Sequence, residues 1–240
     1  MRDNLLDMVS HTFDLGCIDT IKVIGTDKET NIFGASDNTR VIIEGKFATP
    51  HPDFIGTVGM PNLNKLKILL NLQEYQENAK MSVTKKATGE PDSLNFENAT
   101  GDFKNSYRFM SAATVTEKVK PWKFNAPQWH IEFEPTVAGI QRLKWQAQAN
   151  ADEEFFQVKT DGSDLKFFFG DHSTHAGNFV FQSDVSGQLK RAWNYPVAVF
   201  ISIMNLVGDK KIYLSDSGMV KITVDSGLAV YTYFLPAITK

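Results

Sequence analysis

FIGTVGMPNLNKLKILL, residues 54–70, carries a strand into a helix across one proline. DFIGTVG (53–59) reads as the strand, and Pro61 sits where a first helical turn tolerates a missing N–H. NLNKLKILLNL (62–72) continues as helix, with Leu63, Leu66 and Leu70 inward and Asn64, Lys65, Ile68 and Leu72 outward. Much further along, YPVAVFISIMNLV (195–207) again runs from a strand into a short helix, ending at Gly208. Working outward from these two places, residues 1–116 read as helix, strands, short helix and strands. Residues 129–240 repeat that order, with a Lys/Pro/Trp segment, 118–127, between them. Repeated units of this size, each too sheet-rich to close its core alone, build symmetric objects.

The first half opens with a helix over 3–13 whose apolar stripe is Leu5, Leu6, Val9 and Phe13, stopped by Gly16. IDTIKVIG (18–25), NIFGAS (31–36) and TRVIIEGKF (39–47) follow as strands, parted by polar turns. After the second helix come KMSVTKK (80–86), SLNFEN (93–98) and SYRFMSAATV (106–115), all read as strands. In the second half WHIEFEP (129–135) is a strand, and Thr136 is placed to cap a helix over VAGIQRLKWQAQA (137–149). Its core stripe reads as Val137, Ile140, Leu143 and Ala147, and its other face as Ala138, Arg142, Trp145 and Ala149. FFQVKT (155–160), DLKFFFG (164–170), GNFVFQSDV (177–185), KIYLSD (211–216), GMVKITVD (218–225) and LAVYTYFL (228–235) supply the remaining strands. The expected domains are 1–117 and 129–240, joined by a linker over 118–128.

The chain has 240 residues, room for two domains of about 120 each. A 42% hydrophobic and 22% charged composition is that of a soluble globular protein. Eighteen Phe against four Trp and six Tyr suit half-buried pleats. Cys17 is the single cysteine, so no disulfide framework exists and a reducing compartment fits. Asp3 and Asp7 interrupt MRDNLLDMVSH where a signal peptide needs an apolar core, and no run approaches a membrane span of about 20 residues. The expectation is a cytoplasmic protein with no membrane contact. A net charge of −3 argues against tight binding to one nucleic-acid site, unless the basic residues gather on one face.

Few constellations suggest chemistry. Asp171, His172 and His175 in GDHSTHAG could hold a metal, yet on a loop such residues more often cap a turn. P-loop, GxSxG, HExxH and dinucleotide motifs are absent, and Cys17 has no positioned partner. The expectation is therefore a protein without catalytic activity, cofactor or metal. The helix faces carry more information. Lys65 and Arg142 either snorkel on surface helices or serve an anion. Ile68, Leu72 and Trp145 are apolar residues suited to another subunit.

Three segments carry a resemblance to a known family: FIGTVGMPNLNKLKILL, IQRLKWQAQANADEEFFQVKT (140–160) and GMVKITVDSGLAVYTYFLPA (218–237). They resemble, in order along nearly the whole chain, the DNA polymerase sliding clamps of large tailed bacteriophages, relatives of PCNA and the bacterial β clamp. The resemblance implies an α+β clamp fold, with two similar domains per chain, antiparallel sheets outside and two helices each inside. Three such chains close head-to-tail into a ring around duplex DNA, and edge strands pair between subunits so that no edge stays exposed. The edges implied here are SYRFMSAATV and GNFVFQSDV, bringing Tyr107, Phe109, Phe179 and Phe181 to the joint with Ile68, Leu72 and Trp145.

The resemblance further implies sequence-independent phosphate attraction from Lys65, Lys67, Arg142 and Lys144, with Lys190, Arg191 and Arg2 as weaker contributors. Short peptides of partner proteins would dock beside the linker and the C-terminal segment, at Trp122, Phe124, Leu235, Pro236 and Ala237. The implied partners are a DNA polymerase, a clamp loader and, as in some relatives, late-transcription factors, all within the infected bacterium's cytoplasm. Two features depart from the family. No strand precedes the first helix, and that helix carries Asp3, Asp7, Ser10 and Asp14 opposite its apolar stripe. The competing readings are a β-rich oligomeric tail or baseplate protein and a metal-dependent hydrolase at Asp171, His172 and His175.

Overall fold

A computed structural model describes residues 1–120, 122, 127–171 and 175–238. The chain forms two compact units: residues 1–123 with 225–231, and residues 124–224 with 232–240.

The first unit begins with α1 (Arg2–Thr12), followed by β1 (Ile21–Gly25), β2 (Thr30–Ala35), β3 (Ile42–Phe47) and β4 (Gly56–Met60). These four strands lie in the order β4-β1-β2-β3. Their pairing is antiparallel, with Val23 opposite both Ile32 and Val58. After α2 (Leu63–Asn71), β5 (Lys80–Lys85), β6 (Pro91–Glu97) and β7 (Lys104–Arg108) make a second sheet in chain order, and α3 (Ala112–Lys118) follows.

Three sequence expectations need correction in this unit. SYRFMSAATV does not run through as a strand. Pairing ends with a bridge from Met110 to Gly59, and the Ser111 hydroxyl then accepts the Thr114 N–H to start α3. Helix α3 packs so closely on β4 that a Cβ at Gly59 would lie 2.7 Å from the Val115 side chain, so glycine is required there. The buried line of α1 is Leu5, Met8, Val9 and Thr12 with His11, whereas Leu6 and Phe13 are only half-buried. Asp7, expected on the open face, is instead drawn inward by hydrogen bonds from Ser226 (2.9 Å) and Tyr231 (2.8 Å). Both partners come from residues 225–231, the distant stretch that completes this unit.

The second unit contains β8 (Ile131–Phe133), α4 (Val137–Ala149), β9 (Phe155–Asp161), β10 (Asp164–Gly170), β11 (Ala176–Gln182) and β12 (Trp193–Pro196). It continues with α5 (Val197–Asn205), β13 (Asp209–Leu214), β14 (Met219–Asp225) and the later part of β15 (Ala229–Pro236). One sheet has the order β11-β10-β9-β12 and the other β15-β14-β13-β8. Inward-facing phenylalanines build the core, where Phe156, Phe167 and Phe181 all contact Phe200 on α5. On α4 the anticipated stripe is shifted: Gly139 and Leu143 are buried, whereas Val137 is 86% exposed. Gly139 is the cause, since a Cβ there would come within 2.9 Å of the Phe181 carbonyl, letting the helix lie directly on β11.

Candidate nucleic-acid interface

Helix α2 is anchored by Leu63, Leu66, Leu69 and Leu70, which leaves Asn64, Lys65 and Ile68 exposed. Asn62 caps it from a left-handed backbone (φ 50°), its Oδ1 accepting the Lys65 N–H at 3.1 Å. Lys65 projects from this first turn. Lys67 behaves differently, for its Nζ lies 2.7 Å from Asp14 Oδ1, just past α1, and 5.9 Å from the Phe13 ring centre. Arg2 is also occupied, donating from Nη2 to the Leu70 carbonyl (2.8 Å) near the C-terminal end of α2.

Helix α4 begins at Thr136, whose Oγ1 accepts the Gly139 N–H at 2.9 Å. Arg142 is exposed, with its guanidinium carbon 5.5 Å from the Phe179 ring centre, and Lys144 is half-buried. Neither α4 nor α5 contains a carboxylate. Lys210, which sequence reasoning missed, adds a further cation near Lys144. It donates to the Leu206 carbonyl and to the Gly208 carbonyl (3.0 Å), closing the C-terminus of α5. Burial lowers its pKa; Asp209 opposes that shift and Lys144 adds to it, so the two lysines feel one another. Its only sequence signal is a Lys two residues past the Gly208 stop.

Lys190 and Arg191 lie on the loop before β12, on neither helix. The Lys190 N–H donates to Asp216 Oδ1 (2.8 Å), and the Arg191 guanidinium stacks 3.7 Å from the Trp193 ring centre. Arg191 and Trp193 also border a 260 Å³ cavity with Pro127, Gly218, Met219, Pro236 and Ala237. The structure thus brings Pro236 and Ala237 together at a cavity, while Leu235 is fully buried beneath. Trp122 is half-buried in the first unit, and Phe124 lies outside the described residues.

Of the residues expected at a subunit joint, Ile68 (49% exposed) and Trp145 (61% exposed) present apolar surface, and Leu72 is half-buried. Tyr107, Phe109, Phe179 and Phe181 are buried in their own units. The Tyr107 hydroxyl donates to the Pro61 carbonyl and Phe109 packs edge-on to Phe54, while Phe179 and Phe181 both pack on Phe167. Their rings are committed to local cores. Strands β7 and β11 are indeed at the edges of their sheets.

The remaining sequence candidates are the Asp171 cluster and Cys17. Asp171 and His175 are exposed, and His172 lies outside the described residues. Among the described residues no group of three or more His, Cys, Asp or Glu could hold a metal ion. Burial raises the pKa of the Cys17 thiol, which works against its use as a nucleophile. No helix among the described residues is long and apolar enough to cross a membrane.

The sequence matches no protein-family model and no curated protein. The fold, by contrast, matches solved structures along almost its entire length. A. fulgidus PCNA, solved with the C-terminal region of FEN-1 bound, superposes with a TM-score of 0.72 at 10% identity, over 99% of this chain and 96% of that one. PCNA from Thermococcus kodakaraensis gives 0.67 at 11% identity, over 99% and 97%. The Proliferating Cellular Nuclear Antigen of Entamoeba histolytica gives 0.72 at 9% identity, over 99% and 96%. The chain therefore has the α+β fold of PCNA sliding clamps.

Proposed function

We propose that this protein is the subunit of a DNA sliding clamp, a ring that encircles duplex DNA and tethers a replicative polymerase. The observation that carries the reading is the whole-length match to the clamp fold, with neither partner chain substantially longer than the other. The carboxylate-free surface of α4 and α5 supports it, because a sliding ring needs weak phosphate attraction without base readout. In this reading the two clamp domains are residues 1–117 and 129–240, joined by a linker over 118–128, although residues 225–231 pack with the first unit. Three chains close the ring, β7 of one meeting β11 of the next, with Ile68, Leu72 and Trp145 packed beside the joint. Lys65, Arg142 and Lys144 face the DNA, and Lys210 joins them.

The cavity beside Pro236 and Ala237 is the docking place for partner peptides of the polymerase, the clamp loader and late-transcription factors. The setting is the cytoplasm of a bacterium infected by a large tailed phage. The role requires no catalysis by the chain. Retention on circular DNA tests the reading. With a clamp loader and ATP present, the protein should stay on a nicked circle through gel filtration and run off once the circle is linearised. Equal loss from circular and linear DNA would count against it.

A further inference from the structure

The two units differ in the charge their helices offer. Helix α1, the turn after it and α2 carry three cations, Arg2, Lys65 and Lys67, and three carboxylates, Asp3, Asp7 and Asp14, of which Asp7 is turned inward and Asp14 pairs with Lys67. Helices α4 and α5 themselves carry Arg142 and Lys144 and no carboxylate, the acids next along the sequence being Asp152, Glu153 and Glu154 after α4 and Asp209 after α5. Within the first unit the balance is local as well as formal. Lys67 Nζ is 2.7 Å from Asp14 Oδ1, with 42% and 34% of the two side chains exposed, so the pair sits where a passing phosphate could reach it.

We propose that Asp14 is a built-in competitor for phosphate: it holds Lys67 in an intramolecular ion pair and so restrains DNA attraction on the first unit. This rests on the clamp reading. An exposed pair of this kind is weak, so Lys67 can be drawn away. Whenever it is, the Asp14 carboxylate is left beside the approaching phosphate, and like charges oppose the contact. The consequence is a ring whose attraction comes mainly from its second units, loose enough to slide. The acidic first helix is then part of how the ring works, and Asp14 is a positioning residue acting through Lys67.

The test is equilibrium binding to a short blunt-ended duplex, which a ring can thread without a loader, followed by fluorescence anisotropy across a salt series. Asp14→Asn is close to isosteric at an exposed site. It should bind more tightly at every salt concentration and steepen the log K against log salt slope by about 0.9 for each additional phosphate neutralised. Adding Lys67→Ala to Asp14→Asn should remove that increment, and Asp14→Glu should keep the wild-type slope. Asp3→Asn serves as the control, since it changes net charge equally without touching the pair. An equal increase from Asp3→Asn, or an unchanged slope with Asp14→Asn, overturns the proposal while leaving the clamp intact. Absence of salt-dependent binding by the wild type as well would remove the clamp reading, and this proposal with it.

Discussion

Asp7 shows how one residue's role can invert between sequence and structure. Read along a helix it belongs to an acidic outer face, but in the fold its Oδ2 accepts hydrogen bonds from Tyr231 (2.8 Å) and Ser226 (2.9 Å). His11 lies alongside, its Nδ1 3.2 Å from Asp7 Oδ1 and its ring stacked on Tyr231 at 4.4 Å. Burial by itself would raise the Asp7 pKa. Hydrogen bonds from His11, Tyr231 and Ser226, with the His11 charge, outweigh it and leave the pKa lowered. A lowered folded-state pKa contributes stability above the unfolded value and loses it as pH falls through the folded one. Asp7→Ala should therefore cost about 1–3 kcal/mol at neutral pH, the usual penalty for stranding buried hydrogen-bonding groups. The gap between variant and wild type should close as pH drops below the ordinary carboxylate value, about 3.9. Urea unfolding at stepped pH reads both effects, and a gap that stayed constant with pH would contradict this role for Asp7. The inward turn of Asp7 was not legible in the sequence, because Ser226 and Tyr231 lie more than two hundred positions away.

At the scale of elements, periodicity and turn residues located nearly every strand and helix, because alternation and 3.6-residue spacing follow directly from burial on one face. The exceptions have identifiable causes. Helix α3 is short and rich in Thr and Val, residues that also favour strands, and it is held by the Ser111 cap and by contact with Gly59. The stripe of α4 is displaced from its hydropathy pattern because Gly139, inconspicuous in such a pattern, lets the helix lie directly on β11. Arg142 was legible as an exposed cation on an acid-free helix, whereas the partnering of Lys67 with Asp14 crosses 53 positions and left no local trace. Helix α4 also sets the next expectation. Arg142→Glu should reduce retention on nicked circular DNA several-fold and flatten its salt dependence, while circular dichroism and solution mass stay unchanged. Full retention by this variant would remove α4 from the DNA-facing surface.

For the whole molecule, the clamp reading makes a statement about mass. Light scattering over a range of concentrations should find a species of three chains that dissociates on dilution, and Trp145→Glu should shift that dissociation to higher concentration. A monomer at every concentration would exclude the ring. A last consequence comes from residues 225–231, which belong to the first unit although they follow most of the second. Tyr231 is fully buried there, stacked on His11 and packed against Gly45, and the Leu228 carbonyl accepts the Ala48 N–H at 2.8 Å. During synthesis, then, the first unit stays unfinished until residues 225–231 have been made. It waits, with a slot open along α1 and β3, until that stretch has emerged. A fragment of residues 1–123 should accordingly be trimmed rapidly by protease where the full chain resists. A nascent chain stalled before residue 225 should share that sensitivity, so that emergence of residues 225–231 itself serves as the checkpoint for native structure in this unit.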